Sequence, residues 1–249
     1  MRKRMFYAFG WTCIFLGLPL LGVAALLHRF GFTEGSYTLA HNYIAVLAKL
    51  LLWVAGAKVT VEGRENFPAQ LPVVFVSSHQ GHFDSAVILA HFRVPLTFVA
   101  SSNAAKFPIV SRWFAYGSAI YMERDNLRQN YQALKEAEQV LASGKSVVIY
   151  PEGIISGGPT MGEFKRGSFR LATDMDATIV PLAIDGSWQI MGENGDTIQP
   201  AHIVLRVLPP ISTKGLSRAE KQAIPAQVYD LIAHNLKDIQ SRRSSAGAA

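Results

Sequence analysis

Val73-Val-Phe-Val-Ser-Ser-His79-Gln-Gly-His82-Phe-Asp84-Ser85 is the stretch on which the reading of the fold turns. Its four leading apolar residues read as a strand buried on both faces, the pattern of an interior strand in a parallel sheet. The polar residues that follow at once then sit at the strand's carboxyl end, where open α/β sheets bind their ligands. His79 and Asp84 lie five positions apart, a spacing that a turn into a helix folds into hydrogen-bond contact. A carboxylate on one ring nitrogen fixes the imidazole tautomer and leaves the other nitrogen able to take a proton from a hydroxyl. Two other readings stand beside this one. Asp84 could be a helix cap next to two incidental histidines, or His79, His82 and Asp84 could be ligands of a metal-dependent hydrolase.

Outward from this stretch, short β-rich runs alternate with helical ones. Strands are expected at residues 59–62, 96–100, 118–122, 146–150, 179–184 and 203–207. A helix is expected over residues 84–92, and another after Asp125 or Asn126, with apolar positions 127, 131, 134, 137 and 141 at helical spacing and Gly144 at its end. Ser217-Arg-Ala-Glu220 matches a capping box. Pro225 suits the first turn of a last helix that buries Val228, Leu231, Ile232, Leu236 and Ile239. The eight residues from Arg242 to Ala249 read as a disordered tail. Strands alternating with helices imply an α/β domain, residues 58–249, around a mainly parallel sheet flanked by helices.

Residues 1–57 have a different character. After Arg2-Lys-Arg4, the run from Met5 to Leu27 contains no charge, long enough as one helix to cross a hydrocarbon core of about 30 Å. A cleaved signal peptide would have a shorter apolar core, of about 7–15 residues. A second apolar stretch from Tyr43 to Ala57 carries Lys49 on the same narrow face as Asn42. Two such segments form a membrane-associated helical hairpin, crossing twice or dipping and returning. With the basic N-terminus held cytoplasmic, the hairpin keeps the α/β domain on the cytoplasmic face.

Composition agrees. Of 249 residues, 49% are hydrophobic and 17% charged, against about a quarter charged in ordinary soluble proteins. A disordered chain would be far less apolar. The net charge of +6 fits an anionic membrane surface or nucleic acid. The basic residues are not interleaved with exposed aromatics, so no nucleic-acid partner is expected. The single cysteine, Cys13, excludes an internal disulfide framework or a cysteine-based zinc site. Gly144-Lys-Ser146 resembles the end of a P-loop, but residue 139 is Gln and a strand follows. A Gly-x-Ser-x-Gly elbow is absent.

Several segments together resemble the glycerolipid acyltransferase family typified by 1-acylglycerol-3-phosphate O-acyltransferase. His79-Gln-Gly-His-Phe-Asp84 is similar to its His-x4-Asp block, and Gly117-Ser-Ala-Ile-Tyr-Met-Glu-Arg124 to its second block, with Lys106-Phe-Pro108 upstream. Pro151-Glu-Gly-Ile-Ile-Ser156 matches part of the third block, Pro-Glu-Gly-Thr-Arg-Ser. Phe164-Lys-Arg-Gly167 and Val180-Pro-Leu-Ala-Ile184 follow in the family's order, so the resemblance spans roughly residues 55–215.

The resemblance implies phospholipid biosynthesis: direct transfer of an acyl group from acyl-CoA or acyl-carrier protein to the hydroxyl of a lysophospholipid, most simply 1-acyl-glycerol-3-phosphate, with no further cofactor and no metal. His79 would be the general base and Asp84 would orient it. Arg124 and Gly117 would contact the acceptor, with Glu152 and Gly153 lining the site and Lys106, Lys165 and Arg166 as further anion contacts. The third block departs from the family where Ile154 and Ile155 replace its Thr and Arg. A lost charge-assisted hydrogen bond forfeits roughly 1.5–3 kcal/mol. Either Lys165 or Arg166 substitutes, or the acceptor is a different lysolipid. A non-catalytic lipid-binding relative is the remaining alternative.

Overall fold

The computed structural model describes residues 2–101, 108–117, 119–123, 126–191 and 197–247. Among these, strands β1 (Lys58–Glu62), β2 (Val74–Ser77), β3 (Leu96–Ser101), β4 (Ala119–Met122), β5 (Ser146–Ile149), β6 (Ile179–Asp185) and β7 (His202–Val207) form one sheet. Its order is β1-β7-β6-β2-β5-β3-β4. The helices are α1 (Arg2–Leu16), α2 (Leu18–Arg29), α3 (Thr33–Ala55), α4 (Asp84–His91), α5 (Pro108–Gly117), α6 (Leu127–Ala142), α7 (Arg170–Asp174) and α8 (Arg218–Gly247).

The apolar run before His79 is β2, buried along its whole length and paired in parallel with β5 and β6. Phe75 stands between Val148 and Val180 in that register. All pairings are parallel except that of β6 with β7, so β7 and its parallel neighbour β1 run against the other five strands. Strand alternation divides the core. Phe75, Val148 and Leu182 face Ile88 of α4 and Ile44 and Leu52 of α3. Val74, Val76, Val147 and Ala183 face Ala133 and Ala137 of α6 and Val228, Ile232 and Leu236 of α8. Each fully buried aliphatic or aromatic side chain contributes roughly 1.5–3 kcal/mol, so the layers hold the strand ends, and the loops on them, in fixed relation.

Four expectations need correction. The uncharged run at the N-terminus is two helices, α1 and α2, bent by 43° at Gly17. Pro19, in the first turn of α2, lacks the N–H that would bond to the Phe15 carbonyl. The second apolar helix starts at Thr33 rather than Tyr43. Its polar first turns are absorbed by neighbours: Ser36 Oγ donates to the Ala24 carbonyl at 2.9 Å and Glu34 pairs with Lys145.

The last helix starts at its capping box, with Glu220 N donating to Ser217 Oγ and Ser217 N to the Glu220 carboxylate. Pro225 therefore lies inside α8, not at its start. The presumed tail is also helical as far as Gly247: Arg242 pairs with Asp238 and Glu62, and Arg243 with the fully buried Asp185.

Among the described residues one helix, α3, is long and apolar enough to cross a membrane, and α1 with α2 passes the same test as a bent pair. The α1–α2 arm folds back on α3, with Tyr43 Oη donating to the Cys13 carbonyl and Arg2 Nη2 donating to the Ala55 carbonyl at 3.2 Å. Asn42 and Lys49, on the outer side of α3, line a cleft of about 440 Å³ with Arg93, which follows α4.

Candidate active site

Loops at the carboxyl ends of β2, β5 and β6 meet at one edge of the sheet. The loop after β2 turns directly into α4, and that turn brings His79 Nδ1 to 2.8 Å from Asp84 Oδ2. Asp84 is fully buried, and the same oxygen accepts from Gly81 N at 3.0 Å. The carboxylate is thereby fixed from two directions and faces the ring squarely. His79 retains 17% side-chain exposure, and its Nε2 has no protein partner among the described residues. The ring stacks on Tyr150, centroids 4.0 Å apart and planes 16° from parallel, while Tyr150 Oη and Ser85 Oγ are 2.9 Å apart. Burial pushes the Tyr150 phenol well above its ordinary value, with the nearby Asp84 charge adding to it, so it stays protonated and serves as a platform.

Glu152, at the end of β5, clamps two loops. Its Oε1 accepts from His79 N and its Oε2 from Gly162 N, both at 2.7 Å. Burial raises its carboxyl above the ordinary value, and the two backbone donors partly offset this. The loop that follows returns to the first one, with Ser156 N donating to the His79 carbonyl at 2.8 Å and Gly157 N to that of Gln80 at 3.1 Å. Gly153 adopts φ +68°, and a Cβ there would lie 3.0 Å from Lys165 Nζ. The Lys165 ammonium thus lies over the third-block loop, and it has no acidic partner among the described residues.

The remaining expected residues are dispersed. Ile154 is exposed beside Gly153, and Ile155 half-buried. Arg166, adjacent to Lys165 in sequence, instead lines a groove with Arg170, Arg218 and Lys221 between α7 and α8. Gly117 packs under α3, where a Cβ would lie 3.0 Å from Ala40 Cβ and from His41 N; there it permits close helix contact. Lys106 and Arg124 lie outside the described residues. His82 is exposed, and among the described residues no group of three or more His, Cys, Asp or Glu side chains is placed to hold a metal ion.

The sequence reading missed Tyr150, Gln80 and Asp185. Tyr150 closes the β5 run directly before Pro151-Glu152-Gly153, so its position at a strand's carboxyl end was a usable signal. Gln80 and Asp185 meet only through tertiary structure.

This arrangement, a histidine oriented by a buried carboxylate at the ends of parallel strands, suits proton abstraction from a hydroxyl. The sequence profile of the Acyltransferase family matches residues 58–185, more than half of the chain, and the chain belongs to that family. A 1-acyl-sn-glycerol-3-phosphate acyltransferase of Borreliella burgdorferi is 27% identical over 192 residues, 77% of each chain. Another of that name, from Chlamydomonas reinhardtii, is 27% identical over 234 residues, covering 91% of this chain and 69% of the relative. The fold is that of the 1-acyl-sn-glycerophosphate (LPA) acyltransferase PlsC of Thermotoga maritima: TM-score 0.79, 24% identity, with 96% of this chain and 98% of that one covered.

Proposed function

We propose that this protein transfers a fatty acyl group from acyl-CoA or acyl-carrier protein to the free hydroxyl of a lysophospholipid, with 1-acyl-glycerol-3-phosphate as acceptor and phosphatidic acid as product. The observation that carries the reading is the His79–Asp84 pair with its open Nε2. In the reaction, Nε2 takes the acceptor's hydroxyl proton as the oxygen attacks the thioester carbon. The tetrahedral intermediate then expels the thiolate, which leaves as a thiol with the proton from the imidazolium. No covalent acyl-enzyme forms. Asp84 holds the ring and balances the positive charge that develops on it. The names of the relatives support the acceptor class.

Lys165 is the cation we assign to the acceptor phosphate in place of the third-block arginine, because its ammonium overlies Gly153 while Arg166 lies in the other groove. The membrane is the natural source of such an acceptor. Supporting this, the α1–α3 hairpin exposes Phe15, Leu16, Val23, Leu26, Phe30, Phe32 and Trp53, and large exposed apolar surfaces mark membrane or partner contacts. The Arg2–Ala55 contact puts both ends of the hairpin on one side, and with Arg2-Lys-Arg4 this supports a cytoplasmic α/β domain.

The test is incubation of the purified protein in lipid vesicles with an acyl thioester and a panel of lysolipids, read by mass spectrometry against His79→Ala. Phosphatidic acid from wild type and not from the variant is expected. Product only from larger or uncharged head groups would reassign the acceptor to fit Ile154 and Ile155. Equal product from the variant would remove His79 from the mechanism.

A further inference from the structure

Next to His79 in the chain begins a polar cluster that no motif accounts for. Gln80, the neighbour of His79, is fully buried. Its Oε1 accepts from Gly186 N at 3.1 Å, and its Nε2 donates to the Pro159 carbonyl at 3.3 Å and to Asp185 Oδ1 at 3.4 Å. Three loops, those after β2, β5 and β6, therefore converge on one side chain. The cluster is completed by α8. Gln240 Nε2 donates to the same two acceptors, Pro159 O at 2.9 Å and Asp185 Oδ1 at 3.1 Å. Arg243 Nη2 lies 2.6 Å from Asp185 Oδ2 and donates to the His202 carbonyl at 3.0 Å.

Asp185 has no exposure, and a buried charge stands only when paired and hydrogen-bonded. Arg243 is its cation. The pair is thus obligatory, and its geometry is transmitted from Asp185 to Gln80, the residue next to the base.

We propose that Arg243 and Gln240, on the last turns of α8, are positioning residues for acyl transfer: through Asp185 and Gln80 they set where His79 stands relative to the acceptor hydroxyl and the thioester. Neither touches substrate. A displacement of about 1 Å at a reacting group costs on the order of 10²-fold in rate, so a loosened cluster lowers kcat and leaves both substrate-binding surfaces in place. This inference rests on the acyl-transfer reading of the site.

The experiment compares full-length wild type, Arg243→Met, Arg243→Lys and Gln240→Met in vesicles, measuring kcat and the KM of each substrate per folded molecule, with folded fraction from circular dichroism. Arg243→Met should lower kcat by about 10- to 100-fold with both KM values within about threefold of wild type. Arg243→Lys, which keeps the charge, should restore most of it. Arg243→Met leaves Asp185 without its cation and could fail to fold. Gln240→Met keeps the ion pair, so it decides the matter in that event, and its kcat should fall by about three- to tenfold with KM unchanged.

A kcat per folded molecule equal to wild type in the Met variants, or a loss that lysine does not restore, would overturn the proposal while leaving the reaction intact. Absence of transfer by wild type itself would overturn both.

Discussion

Replacing Asp84 with Asn separates orientation from charge at the proposed general base. One oxygen of Asp84 accepts from both His79 Nδ1 and Gly81 N, at 2.8 and 3.0 Å, while the other, Oδ1, is buried without a partner. An asparagine in the same rotamer keeps its carbonyl facing the two donors and turns its amide into the unpartnered position. The flipped alternative would set the amide against Gly81 N–H, donor against donor. The imidazole therefore keeps its tautomer and its place, and what disappears is the negative charge. Two unit charges about 4 Å apart interact by about 4 kcal/mol at an effective dielectric of about 20. If the proton is largely on His79 in the transition state, removing its counter-charge lowers kcat by roughly 10³-fold.

Stability should move the other way. Burying a carboxylate costs several kcal/mol, and the amide is spared most of that while keeping both hydrogen bonds. The assay is steady-state thiol release with each substrate varied, alongside thermal melting. We expect kcat down by about 10³, both KM values within about threefold, and a melting temperature at or above wild type. A kcat within about tenfold of wild type would refute charge balance as the role of Asp84. A melting temperature well below wild type would show that the carboxylate is chiefly structural.

Two further predictions concern the neighbouring loops. Lys165→Gln should raise the KM for a phosphate-bearing acceptor by about tenfold or more, the weight of one charge-assisted hydrogen bond, with the donor's KM unchanged and Lys165→Arg close to wild type; an equal rise for both substrates would count against the phosphate contact. Glu152 has a carboxyl raised above its ordinary value of 4.5 by burial, so the folded state holds its proton more tightly than the unfolded one. Its contribution to stability is full below pH 4.5 and is lost as pH rises through the folded-state value. The melting temperature of wild type relative to Glu152→Gln should therefore fall from pH 4.5 towards neutrality; a relative rise over that range would mean that the two backbone donors, not burial, dominate the group.

Much of this molecule was legible as one-dimensional pattern. A four-residue apolar run followed by His-x4-Asp located a buried parallel strand and the turn at its end, because strand burial and short-range turn geometry depend on neighbours in sequence. The capping box placed the start of α8 correctly, where the proline did not. A local hydrogen-bond exchange at residues 217 and 220 is stronger information than the tolerance of a proline at 225.

Tertiary structure decided what depended on distant partners. The chain after Arg242 is polar and small, and read alone it lacks an apolar face to bury; α8 persists there because Glu62 and Asp185 supply charges that no local pattern reveals. The sequence left Lys165 and Arg166 equivalent, yet only folding of the loop over Gly153 puts one at the site and the other in the groove beside α8. The reason is physical: periodicity and caps report interactions a few residues in range, whereas the pairing of a buried charge is settled by whichever opposite charge the packed layers bring within about 3 Å.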